Sequence, residues 1–414
     1  MGHAKGIEQP LSLRGIILGA NNTLYVVAAI DFCYLAGRAQ RRLEEALARG
    51  AGISVEQVAL QSNHVHAAPL IDEESHAILA EFGYSVHNEA YFRQVLNHAE
   101  NAVANAITQQ GTTIGGISFI QHPVSEFAST RRVLDADGNC HVRFSICDDQ
   151  AIRNAPEGKI DPLLRQIVFF DSQSSPVAAL SFYASHPQVS DRRLLISGDT
   201  IGLATDLFER TYPGVFPIYF TGAAGDVTAG KYTTTNLDRN RLVFGVRLFD
   251  GMDGAFRRAN PQPLTHVGWT TVRFDVPLSE IPQPPNHFED ILRVKVPNPA
   301  ESGLFHHYLA SMKLYRLRQA LNVYPSRISR LCLGDIQVLF LPSEMIVDYQ
   351  FYANSKLGRK SAVAAYADGF LKYVATDECF DQGGYEVRSQ WTEVCRGIEP
   401  VIKNAIDRIA QAKI

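Results

Sequence analysis

Two histidines separated by one residue, His64 and His66, offer the clearest chemistry in this sequence. They follow a short predicted strand at 57–61, and at the end of a strand residues two apart point to the same side. Such a pair supplies either two metal ligands, or one ligand and one acid/base group. A polar loop that happens to hold two histidines is the alternative, and the spacing alone leaves it open.

Three more polar side chains follow apolar segments further along the chain: His186, Glu344 and Tyr373. A catalytic zinc ion takes nitrogen or carboxylate ligands and keeps one coordination position open. These residues are far apart in sequence, so their spacing leaves simpler interpretations open. Glu344 also fits the first turn of a helix, where a carboxylate is favourable, and His186 precedes Pro187 in what could be an ordinary loop.

The elements that position these groups are strands and helices in alternation, which predicts an α/β or α+β fold with a mixed β-sheet core flanked by helices. Polar groups at strand ends, such as His64, His186 and the glycine-rich loop 221–226, have the usual placement of an active site in such folds. We predict one catalytic domain over residues 1–414. The predicted strands are 13–18, 23–30, 57–61, 114–120, 166–170, 177–183, 215–220, 265–276, 328–341 (a hairpin) and 363–366, and the predicted helices are 36–49, 88–107, 199–208, 237–258, 306–321, 344–357 and 393–413.

The composition is that of an ordinary globular protein, with 414 residues of which 46% are hydrophobic and 20% are charged. A net charge of −4 provides no basic surface, so we expect no nucleic-acid partner. No apolar run reaches the roughly 18 residues of a transmembrane segment. The first residues lack the apolar region of a secretory signal, and the six cysteines form no Cys-x-x-Cys pair. We therefore expect a cytoplasmic protein with reduced thiols, and the sequence leaves its oligomeric state open.

Seven short segments, taken together and in order, carry a resemblance to a known family. They are Met1-Gly2-His3-Ala4, His64-Val65-His66-Ala67-Ala68-Pro69, His186-Pro187 with Ser197-Gly198-Asp199 downstream, Gly225-Asp226-Val227-Thr228, Pro342-Ser343-Glu344, 369–376 and Tyr385-Glu386. They are similar to the Met-Gly-Tyr-Ala, His-Thr-His-Ser-Gly-Pro, His-Pro, Gly-Asp-Val-Ser, Pro-Gly-Glu, Gly-Tyr-x-x-Tyr-Val-Thr-Thr and Tyr-Glu motifs of the neutral/alkaline (non-lysosomal) ceramidase family.

The resemblance implies a role for each matching residue. It implies a zinc ion, Zn2+, that activates a water molecule for attack on an amide carbonyl, and His66 as the acid/base group that protonates the leaving nitrogen. Arg131 and Tyr385 would stabilise the oxyanion, with Arg132 as the alternative to Arg131. The implied zinc ligands are His64, His186, Glu344 and Tyr373.

The sequence also departs from the family pattern. Ala68 stands in place of glycine, Thr228 in place of serine and Phe370 in place of a tyrosine. We expect no counterpart of the family's C-terminal immunoglobulin-like domain. We expect a zinc-dependent hydrolase of an amide (N-acyl) bond in a lipid or another small molecule. A zinc hydrolase of an ester, a lactone or another soluble substrate is the alternative, and a non-catalytic binding protein on an inherited fold is a third.

Overall fold

A computed structural model describes residues 4–190, 193–297 and 304–413 of the chain. The first three residues of the predicted Met1–Ala4 motif lie outside the described residues. Helices α1 to α11 span Arg38–Ala51, Glu73–Glu81, Glu89–Thr108, Gln150–Asn154, Asp199–Thr211, Leu237–Phe256, Pro285–Arg293, Phe305–Arg318, Val347–Leu357, Asp377–Gln382 and Ile398–Gln411. In the described part of the chain, none of them has the length and apolar character needed to cross a membrane.

The strands are numbered in chain order. Strands β1 to β21 span Gly6–Ile7, Leu13–Ala20, Thr23–Ile30, Tyr34–Ala36, Val58–Ser62, Leu70–Asp72, Ile114–Pro123, Ser129–Thr130, Arg132–Leu134, Cys140–Val142, Leu163–Asp171, Pro176–Tyr183, Leu195–Ile196, Phe216–Thr221, Val227–Thr228, Val267–Pro277, Val323–Leu333, Ile336–Phe340, Glu344–Met345, Ser361–Ala364 and Tyr373–Val374.

Three sheets, ordered β2-β3-β5, β14-β12-β11-β7 and β16-β17-β18-β20, form the centre of the fold. Each sheet is mixed, because its antiparallel strands are joined by one parallel pair: β3 with β5, β12 with β14, or β18 with β20. Apolar residues of all three sheets, among them Val27, Phe182 and Phe340, pack together in one core. The outer face of each sheet is covered by a pair of helices, in the same order: α1 with α3, α5 with α6, and α9 with α11. The predicted fold class, a mixed β-sheet core flanked by helices, is therefore confirmed.

The carboxyl ends of β5, β14 and β20, one strand from each sheet, meet at a single point. The Thr221 hydroxyl donates to the Asn63 carbonyl at 2.9 Å, and the Ala365 N–H donates to the Thr221 carbonyl at 3.0 Å. The Ser62 N–H donates to the Tyr366 carbonyl at 3.2 Å. These contacts fix the loops that leave the three strands relative to one another, and the predicted site residues lie on or beside those loops.

Two predicted helices begin later than expected. The helix predicted at 344–357 begins at Val347, because Glu344 and Met345 form β19, which pairs with β21 in parallel. The helix predicted at 393–413 begins at Ile398. Helix α2 was not predicted, although Asp72 is a good signal for its start: its side chain accepts a hydrogen bond from the Ser75 N–H at 2.9 Å.

Candidate metal and catalytic site

His64 lies just beyond β5 in a turn that aims its ring at the centre of the molecule. The preceding Asn63 donates from Nδ2 to the Asp31 carboxylate at 3.0 Å, which holds the turn in place. His64 has a φ of +60°, a left-handed conformation that is uncommon for non-glycine residues. Its Nδ1 donates to the Cys33 carbonyl at 2.9 Å. Because that nitrogen is occupied, Nε2 faces the other predicted ligands.

His186 is held in a similar way, three residues beyond the end of β12. Its Nδ1 donates to the Ala224 carbonyl at 2.7 Å, with the Val227 carbonyl at 3.1 Å. Both carbonyls belong to the glycine-rich segment that follows β14, the parallel neighbour of β12. Burial, together with the nearby Arg131 guanidinium, lowers the pKa of His186 to about 4. The ring is therefore neutral at neutral pH, and its Nε2 carries a lone pair.

Glu344 lies between the two rings. Its Oε2 is 3.3 Å from His64 Nε2 and 3.2 Å from His186 Nε2, and its Oε1 accepts a hydrogen bond from the Tyr34 hydroxyl. Burial alone would raise the pKa of this carboxyl, whereas a proton on the facing His64 or His186 ring would hold it well below its usual range. The residue at the start of α9 is Ile346, so Glu344 is not the cap of that helix.

Tyr373 reaches the same point because its strand is paired with that of Glu344. The register of β19 and β21 sets Glu344 opposite Tyr373, and the phenol oxygen of Tyr373 lies 3.5 Å from His186 Nε2. Burial raises the pKa of this phenol well above its usual value. The structure thus brings together all four residues predicted as ligands, and their role as ligands stays a prediction.

His66 lies at the edge of this group, with its Nε2 3.2 Å from His64 Nε2. The pKa of His66 lies well below its usual value, mainly because the ring is buried and also because the His64 and His186 rings are close to it. The ligand atoms of His64, His186 and Glu344 all lie within 4.8 Å of one another, but His66 does not belong to that set. It forms a different set with Cys33 and His64, which shares one ligand with the first.

The sequence left open whether Arg131 or Arg132 stabilises the oxyanion. In the structure, the two side chains point to different places. Arg131 donates from Nη1 to the Tyr373 hydroxyl at 2.8 Å and is 4% exposed. Its guanidinium lies 5.2 Å from the centre of the Tyr385 ring, so Tyr385 also borders the site. Arg132 instead donates to Glu386 at 2.7 Å and to the Gly383 carbonyl at 2.8 Å. The geometry therefore favours Arg131 as the arginine that acts in the site.

A pocket of about 690 Å³ opens onto this cluster. His64, His66, Glu344, Tyr373 and Tyr385 lie on its polar side. Sequence reasoning gave no role to several other residues of its wall, because they belong to no recognised motif or, for Lys372, occupy a variable position within one. These are Cys33, Tyr34, Tyr308, Lys372 and Trp391, together with an apolar group made of Leu194, Leu195, Ile196, Phe305 and Leu309.

Gly369 leaves the space through which Tyr34 reaches Glu344. We expect any side chain at position 369 to destabilise the fold. A Cβ at this position would lie 1.6 Å from Cδ1 of Tyr34. Replacing Gly369 with alanine should lower the free energy of unfolding by about 1–3 kcal/mol, as overpacking of a buried site typically does. Urea denaturation measures the change. Gly111→Ala is the matched control, because its Cβ would meet no atom of the described residues within 4 Å. Equal stability of the two variants would contradict the packing described for Tyr34.

The chain is similar to known proteins in part of its sequence and in its fold. No family model matches the sequence. Neutral ceramidase 1 and neutral ceramidase 2 of Arabidopsis thaliana are each 26% identical to the chain, over 213 and 212 residues. The matched region is 50% of this chain but only 26% of the length of each relative.

Solved structures match over almost all of the chain. A ceramidase complexed with C2 superposes with a TM-score of 0.70 at 17% identity, covering 98% of this chain and 70% of that one. This chain has the neutral ceramidase fold. The neutral ceramidase of Pseudomonas aeruginosa gives a TM-score of 0.69 at 16% identity and covers 98% of this chain and 68% of its own. The resemblance to the neutral ceramidase family, predicted from the ordered motifs, is therefore confirmed.

Proposed function

We propose that this protein is a zinc-dependent hydrolase of an N-acyl amide bond. The convergence of His64, His186 and Glu344 at the base of the pocket carries the proposal. Backbone carbonyls can only accept hydrogen bonds, so Nδ1 of each histidine carries the ring proton and each Nε2 presents a lone pair. Both lone pairs face the Glu344 carboxylate. A cation between these three acceptors, either a metal ion or a proton, stabilises that arrangement.

The spacing of the acceptors favours a metal ion over a shared proton. Charge-assisted hydrogen bonds are roughly 2.7–2.9 Å long. The ligand atoms around a tetrahedral zinc ion, with bonds of about 2.0–2.1 Å, lie roughly 3.3–3.4 Å apart. The distances observed here are 3.2 Å and 3.3 Å from Glu344 to the two rings, and 3.5 Å from His186 to Tyr373. His66 Nε2 lies at a similar 3.2 Å from His64 Nε2, so its different role rests on the family resemblance rather than on spacing. Hydrogen bonds from ring Nδ1 atoms to carbonyls also orient histidines in known metal sites.

The remaining residues fit amide hydrolysis. A zinc ion held there would polarise an amide carbonyl and lower the pKa of a bound water molecule. Arg131 and Tyr385 border the same point and are placed to donate hydrogen bonds to a carbonyl oxygen as it gains negative charge. His66 is neutral and reaches into the pocket, so it can accept a proton and deliver it to the leaving nitrogen. The ceramidase relatives support an amide as the bond that is cleaved.

Metal removal and reconstitution test the proposal. We expect the purified protein to release fatty acid from a short-chain ceramide or another N-acyl amide, to lose that activity on chelation and to regain it with zinc. His64→Ala protein is the control, and zinc should not restore its activity. Full activity after chelation would contradict the metal assignment. Cleavage of a matched ester or lactone but of no amide would favour the alternative substrate class.

A further inference from the structure

Lys372 is a buried cation that the proposed chemistry does not use. It immediately precedes Tyr373, lines the pocket and is 7% exposed. An ammonium group has three hydrogens to donate. One points to the Gln390 carbonyl at 3.2 Å and a second to Glu393 at 3.5 Å. We find no acceptor for the third among the residues that the structure describes.

The surroundings of Lys372 carry an excess of positive charge. Glu393 is fully buried and contacts Lys313, Arg316 and Lys372, so three cations share one carboxylate. The next acidic group, Asp72, already accepts hydrogen bonds from the Tyr308 hydroxyl at 3.0 Å and from Ser75. Buried charges are costly unless they are paired. This region therefore favours an additional anion on the pocket side.

Trp391 provides a second unpaired donor in the same pocket wall as Lys372. The segments that contain the two residues are adjacent, since Lys372 forms a β-bridge with Thr392 and the Tyr373 N–H donates to the Trp391 carbonyl at 3.2 Å. Trp391 lines the same pocket, stacked between Phe305 and Tyr385. Its indole Nε1 is buried and makes no hydrogen bond to any described residue. Buried donors of this kind normally have a partner.

We propose that Lys372 and Trp391 bind a carboxylate of the substrate, and that the substrate is an N-acyl amino acid. The inference rests on the proposed amide hydrolysis. One ammonium hydrogen and one indole N–H suit a carboxylate, because each of its two oxygens accepts hydrogen bonds and neither donates. Lys372 and Tyr373 line the same pocket, so a carboxylate bound by Lys372 would share that pocket with the amide of an N-acyl amino acid. The apolar wall that includes Leu195, Ile196 and Leu309 suits the acyl chain.

A matched pair of substrates tests the inference. N-dodecanoylglycine carries the carboxylate, and N-dodecanoylglycinamide has the same size without the charge. For the zinc-loaded wild type we expect kcat/KM for dodecanoate release to be at least tenfold higher with the carboxylate. Lys372→Met should bring this ratio close to one, and Trp391→Phe should lower it severalfold. Lys372→Arg, which keeps the charge, should retain most of the preference.

Lys313→Met is the matched control, because Lys313 contacts the same Glu393 but does not line the pocket. The ratio in this variant should stay at least tenfold. A ratio near one in the wild type, or equal changes in the Lys313 and Lys372 variants, would overturn the inference.

Calorimetric binding of N-dodecanoylglycine and its amide separates this inference from the proposed function. If the carboxylate binds at least tenfold more tightly, depends on Lys372 and is not hydrolysed, the binding site stands and the amide hydrolase is wrong. If both compounds are hydrolysed at equal rates, the hydrolase stands and the carboxylate site is wrong. If neither compound binds nor reacts, both are wrong.

Discussion

Glu344→Gln protein should bind zinc at least about a hundredfold more weakly than the wild type and should hydrolyse an N-acyl amide at least about a thousandfold more slowly. The substitution keeps the shape of the side chain and removes its charge. Glu344 is the carboxylate that faces both His64 and His186, so its loss leaves the proposed site without a carboxylate. An amide oxygen can still accept the hydrogen bond from Tyr34, and we therefore expect the fold to persist.

Zinc content after dialysis and kcat/KM measure the two effects, and thermal unfolding checks the fold. Glu44→Gln is the matched control. Glu44 is also buried, and it pairs with Arg327 rather than with any predicted ligand. That variant should retain both zinc and activity. A Glu344→Gln protein that keeps stoichiometric zinc and full turnover would show that the cluster is not the catalytic centre.

Arg131→Lys should lower kcat by about a hundredfold, the usual effect of losing one donor to a developing oxyanion, while the zinc content stays unchanged. Arg131 donates from Nη1 both to the Tyr373 hydroxyl at 2.8 Å and to the Gly225 carbonyl at 3.2 Å. A lysine keeps the positive charge but lacks the planar group that makes these contacts together. Because Arg131 is not itself a predicted ligand, we expect the largest effect in kcat rather than in zinc content.

Arg132→Lys is the control for this prediction, and it also decides between the two arginines. Arg132 donates hydrogen bonds to Glu386, Gln382 and the carbonyls of Cys379 and Gly383. These bonds hold the loop that contains Tyr385. We expect a lower melting temperature for this variant and a kcat within a few-fold of the wild type. Equal losses of kcat in the two variants would contradict the assignment of the oxyanion role to Arg131.

Strong local patterns made much of the fold predictable from the sequence. The strand predicted at 23–30 is observed as Thr23–Ile30, because its apolar and β-branched residues form one uninterrupted run. The helix predicted at 88–107 is observed as Glu89–Thr108, and Asn88 caps its start. Boundaries near the site were less predictable. Glu344 pairs with a strand nearly thirty residues away, and no local pattern records that contact.

The conformation of the site also depends on backbone that sequence rules do not foresee. His64, Ser343 and Lys372 all have a positive φ, and the last two directly precede Glu344 and Tyr373. None of them is glycine, so no residue type marked these turns in advance. The surrounding hydrogen bonds hold each turn, for example from the Ser343 N–H to the Asp368 carbonyl at 2.7 Å. Motifs could therefore name candidate site residues, whereas the arrangement of those residues required the whole fold.

Anomalous diffraction at the zinc edge, from crystals of the zinc-loaded protein, tests the central claim most directly. We expect one peak within about 2.0–2.3 Å of His64 Nε2, His186 Nε2 and Glu344, with the Tyr373 oxygen as the fourth protein ligand and His66 outside bonding distance. No peak between His64, His186 and Glu344 would contradict the account. A peak bonded to both His64 and His66 would contradict the division of roles between the two histidines.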